Sequence, residues 1–209
     1  MISGLVQDVL LRGEITTGFR DTLLSDIHES IYQIPVTKHP LGFVHYDLSQ
    51  LADLPSGGFA RLHIWDRELA TPDPAGNIHD HTWHLTSAVL AGSLRDRTYL
   101  PCASAQGALT AVQVRYGETN SFERAGRYDL VPQSDRVVRK GDIYTIQSRI
   151  VHESEPLEVP TITFVVGIPD ENAAVSGPLI LSRSANVSAG TAKREAVGQA
   201  EALKLLERL

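Results

Sequence analysis

Two histidines one residue apart, His79 and His81, and a third much later at His152 are the side chains of this sequence best suited to chemistry. In an extended strand alternate side chains share a face, so His79 and His81 can grip one metal ion while Asp80 points away. By the same alternation Trp83 and Leu85 share the ligand face and His84 lies opposite, unless a bulge shifts the register. Of the eight histidines, four lie in two segments, GNIHDHTWHLTSAVLAG and KGDIYTIQSRIVHES, and that joint clustering favours metal ligation over ordinary surface histidines.

Other polar residues are placed where they could assist. Arg61, His63 and Trp65 alternate on one face of the run Phe59–Trp65, with Leu62 and Ile64 on the other. The apolar pair would normally claim the buried face and leave Arg61 and His63 to solvent, whereas a barrel with a polar interior would turn them inward. Both readings stand on the sequence. Arg95, Arg97 and Tyr99 alternate after Gly92, either as a solvated face or as a basic wall for an anionic substrate. Glu153 and Glu155 read as solvent-facing charges, with Glu153 reaching a metal only through a backbone bulge.

The elements that must position these residues are mostly strands. From Ser3 to about Ile34 the apolar residues Leu5, Val9, Leu23, Leu24, Ile27 and Ile31 recur at helical steps broken by Gly13 and Gly18, which predicts two short amphipathic helices. After Pro35, Pro40 and Gly42 the chain changes to short β-rich runs. These are Phe59–Trp65, Ile78–Leu90, Ser93–Tyr99, Leu109–Arg115, Arg127–Val131, Val137–Arg139, Asp142–Gln147 and Thr161–Ile168. Many short strands with no interleaved helices predict an all-β antiparallel barrel or sandwich with helical ends. The expected division is a helical extension over residues 1–42, a barrel over 43–180 and a tail over 181–209 that closes in a helix between Thr191 and Leu209.

Composition narrows the function classes. At 209 residues and 42% apolar content the chain suits one domain with a real core, and its net charge of −6 with scattered basic residues argues against nucleic-acid binding. Cys102 is the only cysteine, which excludes an internal disulfide and a cysteine-rich zinc site and fits a reducing compartment. No basic leader precedes Gly13 and no apolar stretch approaches the roughly 20 residues of a membrane span, so the expectation is a cytoplasmic protein without a membrane partner.

The two histidine segments resemble the paired motifs of the cupins. His79-Asp80-His81 is followed after three residues by Leu85, where that family usually carries Glu, and after six more by Gly92. Gly141 and His152, eleven residues apart, fit the second motif, with Gln147 and Arg149 where Pro and Gly are usual. The resemblance covers about Phe59 to Pro169 and implies a cupin-type antiparallel β-barrel, the double-stranded β-helix, with His79, His81 and His152 as metal ligands and often a homodimer.

Within the cupins the segments Ile78–Thr82, Phe59–Trp65 and Ile150–His152 are similar to the three-histidine thiol dioxygenases of the cysteine dioxygenase type. That likeness implies Fe(II), although zinc, nickel or manganese can use the same ligands. The hydroxyl and imidazole positions of that subgroup's late strand fall on Thr163, Val165 and Gly167, its substrate-carboxylate arginine falls near Tyr46, and Leu85 removes its crosslink. With Leu85 in the glutamate position the ion keeps its full dipositive charge and favours anions.

The expected function is a metal-dependent cupin oxygenase taking O2 and a small anionic metabolite, such as a modified amino acid or thiol. In that reading Arg61, Arg97 or both bind the substrate, Trp83 and Leu85 line the ligand face, and His63 or Tyr46 is the candidate acid–base residue. A non-oxidative lyase, isomerase or hydrolase and a non-enzymatic metal- or ligand-binding cupin are the alternatives.

Overall fold

A computed structural model describes residues 1–39, 41–66, 77–115, 121–173, 176–183 and 195–208. The two expected N-terminal helices are α1 (Ile2–Gln7), which continues as a π-type turn over Asp8–Arg12, and α2 (Phe19–Ser30). Gly13 ends the first at φ 64°, a left-handed conformation that glycine adopts without steric cost. The closing helix is shorter than expected: α3 spans Gln199–Leu206, while residues 191–194 and 209 of the expected element lie outside the described residues.

The strands are β1 (Val36–His39), β2 (Phe43–Asp47), β3 (Phe59–Trp65), β4 (Ile78–His79), β5 (Trp83–Ala91), β6 (Ser93–Ala103) and β7 (Leu109–Arg115). They continue with β8 (Ser121–Arg139), β9 (Ile143–Ile146), β10 (Val151–Pro156), β11 (Thr161–Pro169), β12 (Leu179–Ser182) and β13 (Glu195–Ala196). The first sheet runs β13-β1-β2-β3-β11-β5-β9, and the second closes on itself as β10-β4-β12-β7-β8-β6. This is the expected all-β antiparallel architecture with helical ends. No helix among the described residues is long and apolar enough to cross a membrane.

Several boundaries differ from the sequence reading. Strand β1 lies inside the segment expected to be helical, and β13 pairs with it from inside the expected tail. The runs Arg127–Val131 and Val137–Arg139 are one strand, β8, whose middle carries Pro132, Gln133, Ser134 and Asp135. Those residues weaken the apolar signal, yet β6 pairs with Pro132, Ser134 and Asp135, the register shifting by one residue at Gln133. The run Ile78–Leu90 is two strands in different sheets.

Alternation splits the first sheet into two faces. Its outer face presents Val44, Tyr46, Leu62, Ile64, Phe164 and Val166 to Leu5, Leu23, Ile27 and Leu205 of the three helices, all buried in one core. Burying such a side chain fully is worth about 1.5–3 kcal/mol, so the helical ends stabilise the sheet they cover. The inner face packs Phe43, Trp65 and Val89 against Leu94 and Val138 of the second sheet. A third cluster, Ile78, Leu109, Ala111, Val151 and Leu181, joins β4, β7, β10 and β12 of the second sheet. Ile78 and Val151 point into that cluster, so their neighbours His79 and His152 point the other way, toward the inner face of the first sheet.

Candidate metal centre

His79 and His152 meet by strand pairing: they are direct cross-strand partners in β4 and β10. His81 arrives differently. After His79 the chain leaves the second sheet and joins the first at Trp83, so His81 lies on the crossing between them. Asp80 fixes the crossing: its carboxylate accepts from the Leu179 amide at 2.6 Å and from Arg149 at 3.3 Å, and its own amide donates to Leu179 O. Asp80 thus points away from the ligands as the alternation predicts, although strand geometry holds for His79 and not for His81.

The three rings converge. Their centroids lie 4.6 Å (His79–His81), 4.8 Å (His79–His152) and 5.1 Å (His81–His152) apart, and all three ligating atoms fall within 4.8 Å of one another. The Nε2 atoms of His81 and His152 are 3.1 Å apart. Two nitrogens bound at about 2.1 Å to one ion stand roughly 3.0–3.4 Å apart between octahedral and tetrahedral angles, so the arrangement fits one divalent ion.

The His79 and His81 rings are also in the right state. Burial, then the neighbouring His152, push the His79 pKa down to about 3 against a small opposing effect of its bond to Asn77. Burial, then His79, His152, His39 and Arg61, hold His81 well below the usual imidazole value. Neutral imidazoles keep lone pairs for a metal.

Two of the ligands are oriented from behind, as metal-binding histidines usually are. His79 Nδ1 donates to Asn77 O at 3.1 Å, and His152 Nδ1 donates to the Asp96 carboxylate at 3.4 Å. Both bonds aim Nε2 at the common point. Asp96 is fully buried and also receives Arg136 Nε at 2.9 Å. Burial alone would raise its pKa; the bonds from His152 and Arg136 outweigh that and hold it below the usual carboxylate value. Asp96 escaped the sequence reading because the strand phase after Gly92 is set by a tight turn at φ 71°, against which a side chain would strike Thr161.

The wall facing the histidines is the inner face of the first sheet. Trp83 stacks on His81 at 5.1 Å and meets the edge of Phe59 at 5.3 Å, and Arg61 lies 4.0 Å over the Phe59 ring. Leu85, two residues on from Trp83 in β5, packs against the cluster that contains Tyr144 and Ile146. Arg61 and His63 therefore turn inward, which settles the two readings left by the strand pattern. His63 stacks on Phe43 at 4.4 Å, and Phe43 stacks on His39 at 4.3 Å. His45 is buried and bonds Thr37 Oγ1. Centroid spacings of 6.1–6.2 Å among His39, His45 and His63 exceed those of the triad, and these rings form a stacked wall instead of converging.

Four expectations are corrected or sharpened. Tyr46 is on the outer face, fully buried among the helices, with its hydroxyl donating to Ala202 O at 2.6 Å and burial raising its pKa, so it does not meet the histidines. Arg97 pairs in register with Glu153, one residue out of phase with His152, and so lies on the opposite sheet face. There it binds Glu153 at 2.8 Å and Glu155 at 3.1 Å, held as part of an ion-pair network instead of a basic wall. Glu153 also accepts from Tyr99 and points away from the metal ligands, though it is mostly covered and not solvent-facing. His84 accepts from Ser148 N at 3.2 Å and lies 3.7 Å from Asp170, away from the triad.

No protein-family model and no curated protein matches the chain. Solved structures that resemble it include oxalate decarboxylase of Bacillus subtilis, at 14% identity and TM-score 0.39 over 68% of this chain and 30% of that one. An RmlC-like cupin from Shewanella frigidimarina matches at 12% identity and TM-score 0.37, over 68% of this chain and 89% of that one. KdgF from Halomonas sp. matches at 10% identity and TM-score 0.37, over 68% and 92%. Likenesses this weak carry nothing about metal, reaction or substrate. The centre rests on its own geometry.

Proposed function

We propose that the protein is a non-haem iron oxygenase acting on a small anionic metabolite, such as a modified amino acid or thiol, with dioxygen as co-substrate. The observation that carries this reading is a converging set of three histidines with no carboxylate among them, set against a wall that contains Arg61. Leu85, apolar where the resemblance to the cupins would put a charged fourth ligand, adds no carboxylate to that set. Iron held by His79, His81 and His152 would supply Lewis acidity, open coordination positions and electron transfer between substrate and dioxygen.

The chain's own residues do the rest. Arg61, fixed against Phe59, pairs with the carboxylate of the substrate through two parallel N–H donors. Trp83 and Leu85 bound the space beside His81 and exclude water from it. His63, two residues from Arg61 on the same face and held flat against Phe43, exchanges a proton with the substrate heteroatom.

Protein purified without oxygen should contain about one iron per chain, the occupancy a single closed three-histidine set allows. It should also consume oxygen when offered anionic thiols or amino-acid derivatives in an oxygen electrode. Turnover of such a compound with no oxygen uptake would replace the oxygenase with a metal-dependent lyase, isomerase or hydrolase.

A further inference from the structure

Arg149 is the one non-glycine residue with positive φ (63°) among the described residues. L side chains rarely adopt this conformation, and glycine would hold it without strain. A long charged residue persists there only if its side chain contributes something glycine cannot.

What it contributes is a set of bonds under the ligand segment. The Arg149 amide donates to His81 O at 2.8 Å. Its guanidinium donates to Asp80 Oδ2 at 3.3 Å, Gly177 O at 2.9 Å, Ser176 Oγ at 2.8 Å and the carbonyls of Ala173 and Ser176. Gly177 is itself fixed, because its carbonyl accepts from Gln113 and a side chain there would overlap Val114 O. One residue therefore joins the crossing that carries His81, the turn that leads to His152 and a segment anchored on β7. These are separate stretches of chain, and their relative placement sets the distance between His81 and His152.

We propose that Arg149 is a positioning residue of the three-histidine centre: by tying Asp80 and His81 to Ala173, Ser176 and Gly177 it holds His81 at binding distance from His152. The proposal rests on the reading of this triad as a metal site. The planar fork is essential, since several acceptors around one side chain suit a guanidinium and exceed what the compact ammonium of lysine can span.

The test uses the full chain stripped with a chelator and titrated with Zn(II) and Co(II) against a chromophoric competitor, together with the visible spectrum of the Co(II) form and the thermal midpoint of the metal-free protein. Arg149→Gly relieves the backbone while deleting the fork. It should bind both ions at least tenfold more weakly and change the Co(II) spectrum, with a metal-free midpoint close to wild type. Arg149→Lys should recover only part of the affinity.

If Arg149→Gly does not fold, Arg149→Lys carries the test through the same titration. Wild-type affinity and an unchanged Co(II) spectrum in a folded variant would overturn the proposal and leave Arg149 as a staple of the fold. Failure of the wild type to bind either ion would instead remove the metal centre, and the latch with it.

Discussion

Replacing Asp96 with Asn should weaken metal binding without removing a single ligand. The Asp96 carboxylate accepts from two sides, from Arg136 Nε at 2.9 Å and from His152 Nδ1 at 3.4 Å. Asparagine keeps the shape but has one acceptor oxygen and one donor group. If the oxygen stays with Arg136, the amide N–H2 faces His152 Nδ1, which must then accept. That moves the ring proton to Nε2, the atom that converges with His81 Nε2. Every metal-binding event must first restore the other tautomer.

Losses at such supporting groups run to about 10–100-fold in affinity, or about 1.4–2.8 kcal/mol. The 3.4 Å bond is long and argues for the lower half of that range, whereas the tautomer change argues for the upper half. An affinity loss near thirtyfold is therefore expected. Because Arg136 is partly solvated, the cost to the metal-free fold should stay at about 1–2 kcal/mol. Zn(II) competition titration measures the first quantity and urea unfolding of chelated protein the second. An Asp96→Asn variant that binds metal within twofold of wild type would refute the tautomer argument.

Three further outcomes follow from the same geometry. His81→Ala should strip most of the metal and His84→Ala almost none, which metal analysis after dialysis measures; equal losses would mean His84 belongs to the centre. Arg61→Ala should weaken an anionic ligand of the metal-loaded protein by about ten- to a hundredfold, with Arg61→Lys rescuing only part, since a charge-assisted contact is worth roughly 1.5–3 kcal/mol. Calorimetric titration that finds equal affinity in all three proteins would take Arg61 out of the site. Chelated wild type should lose stability as pH falls from about 6.5 toward 3, because the unfolded chain takes up protons that His79 and His81 refuse when folded. Each contributes at most about 1.4 kcal/mol per pH unit. The double variant His79→Gln with His81→Gln should show a flatter dependence in urea titrations at pH 7.5, 6 and 5, and identical slopes would count against this.

The three-histidine cluster was legible because it is written in local spacing: one residue between His79 and His81 and eleven steps from Gly141 to His152 survive any arrangement of the rest. The inward face of β3 was half legible. The alternation of Arg61, His63 and Trp65 against Leu62 and Ile64 was plain, but both faces of that strand are covered, one by helices and one by the second sheet, so polarity alone could not say which face is which.

What only the tertiary structure decided depends on contacts between distant segments. Tyr46 is turned to the helices because α3 folds back over the first sheet and offers it the Ala202 carbonyl. Arg97 is turned from the three histidines because the Gly92 turn sets the phase of β6, and the same phase places Asp96 behind His152. His81 leaves strand geometry because Asp80 is bound by Leu179 and Arg149, partners 99 and 69 residues away. Local spacing chose the ligands, and long-range pairing, which no window of sequence contains, chose what supports and faces them.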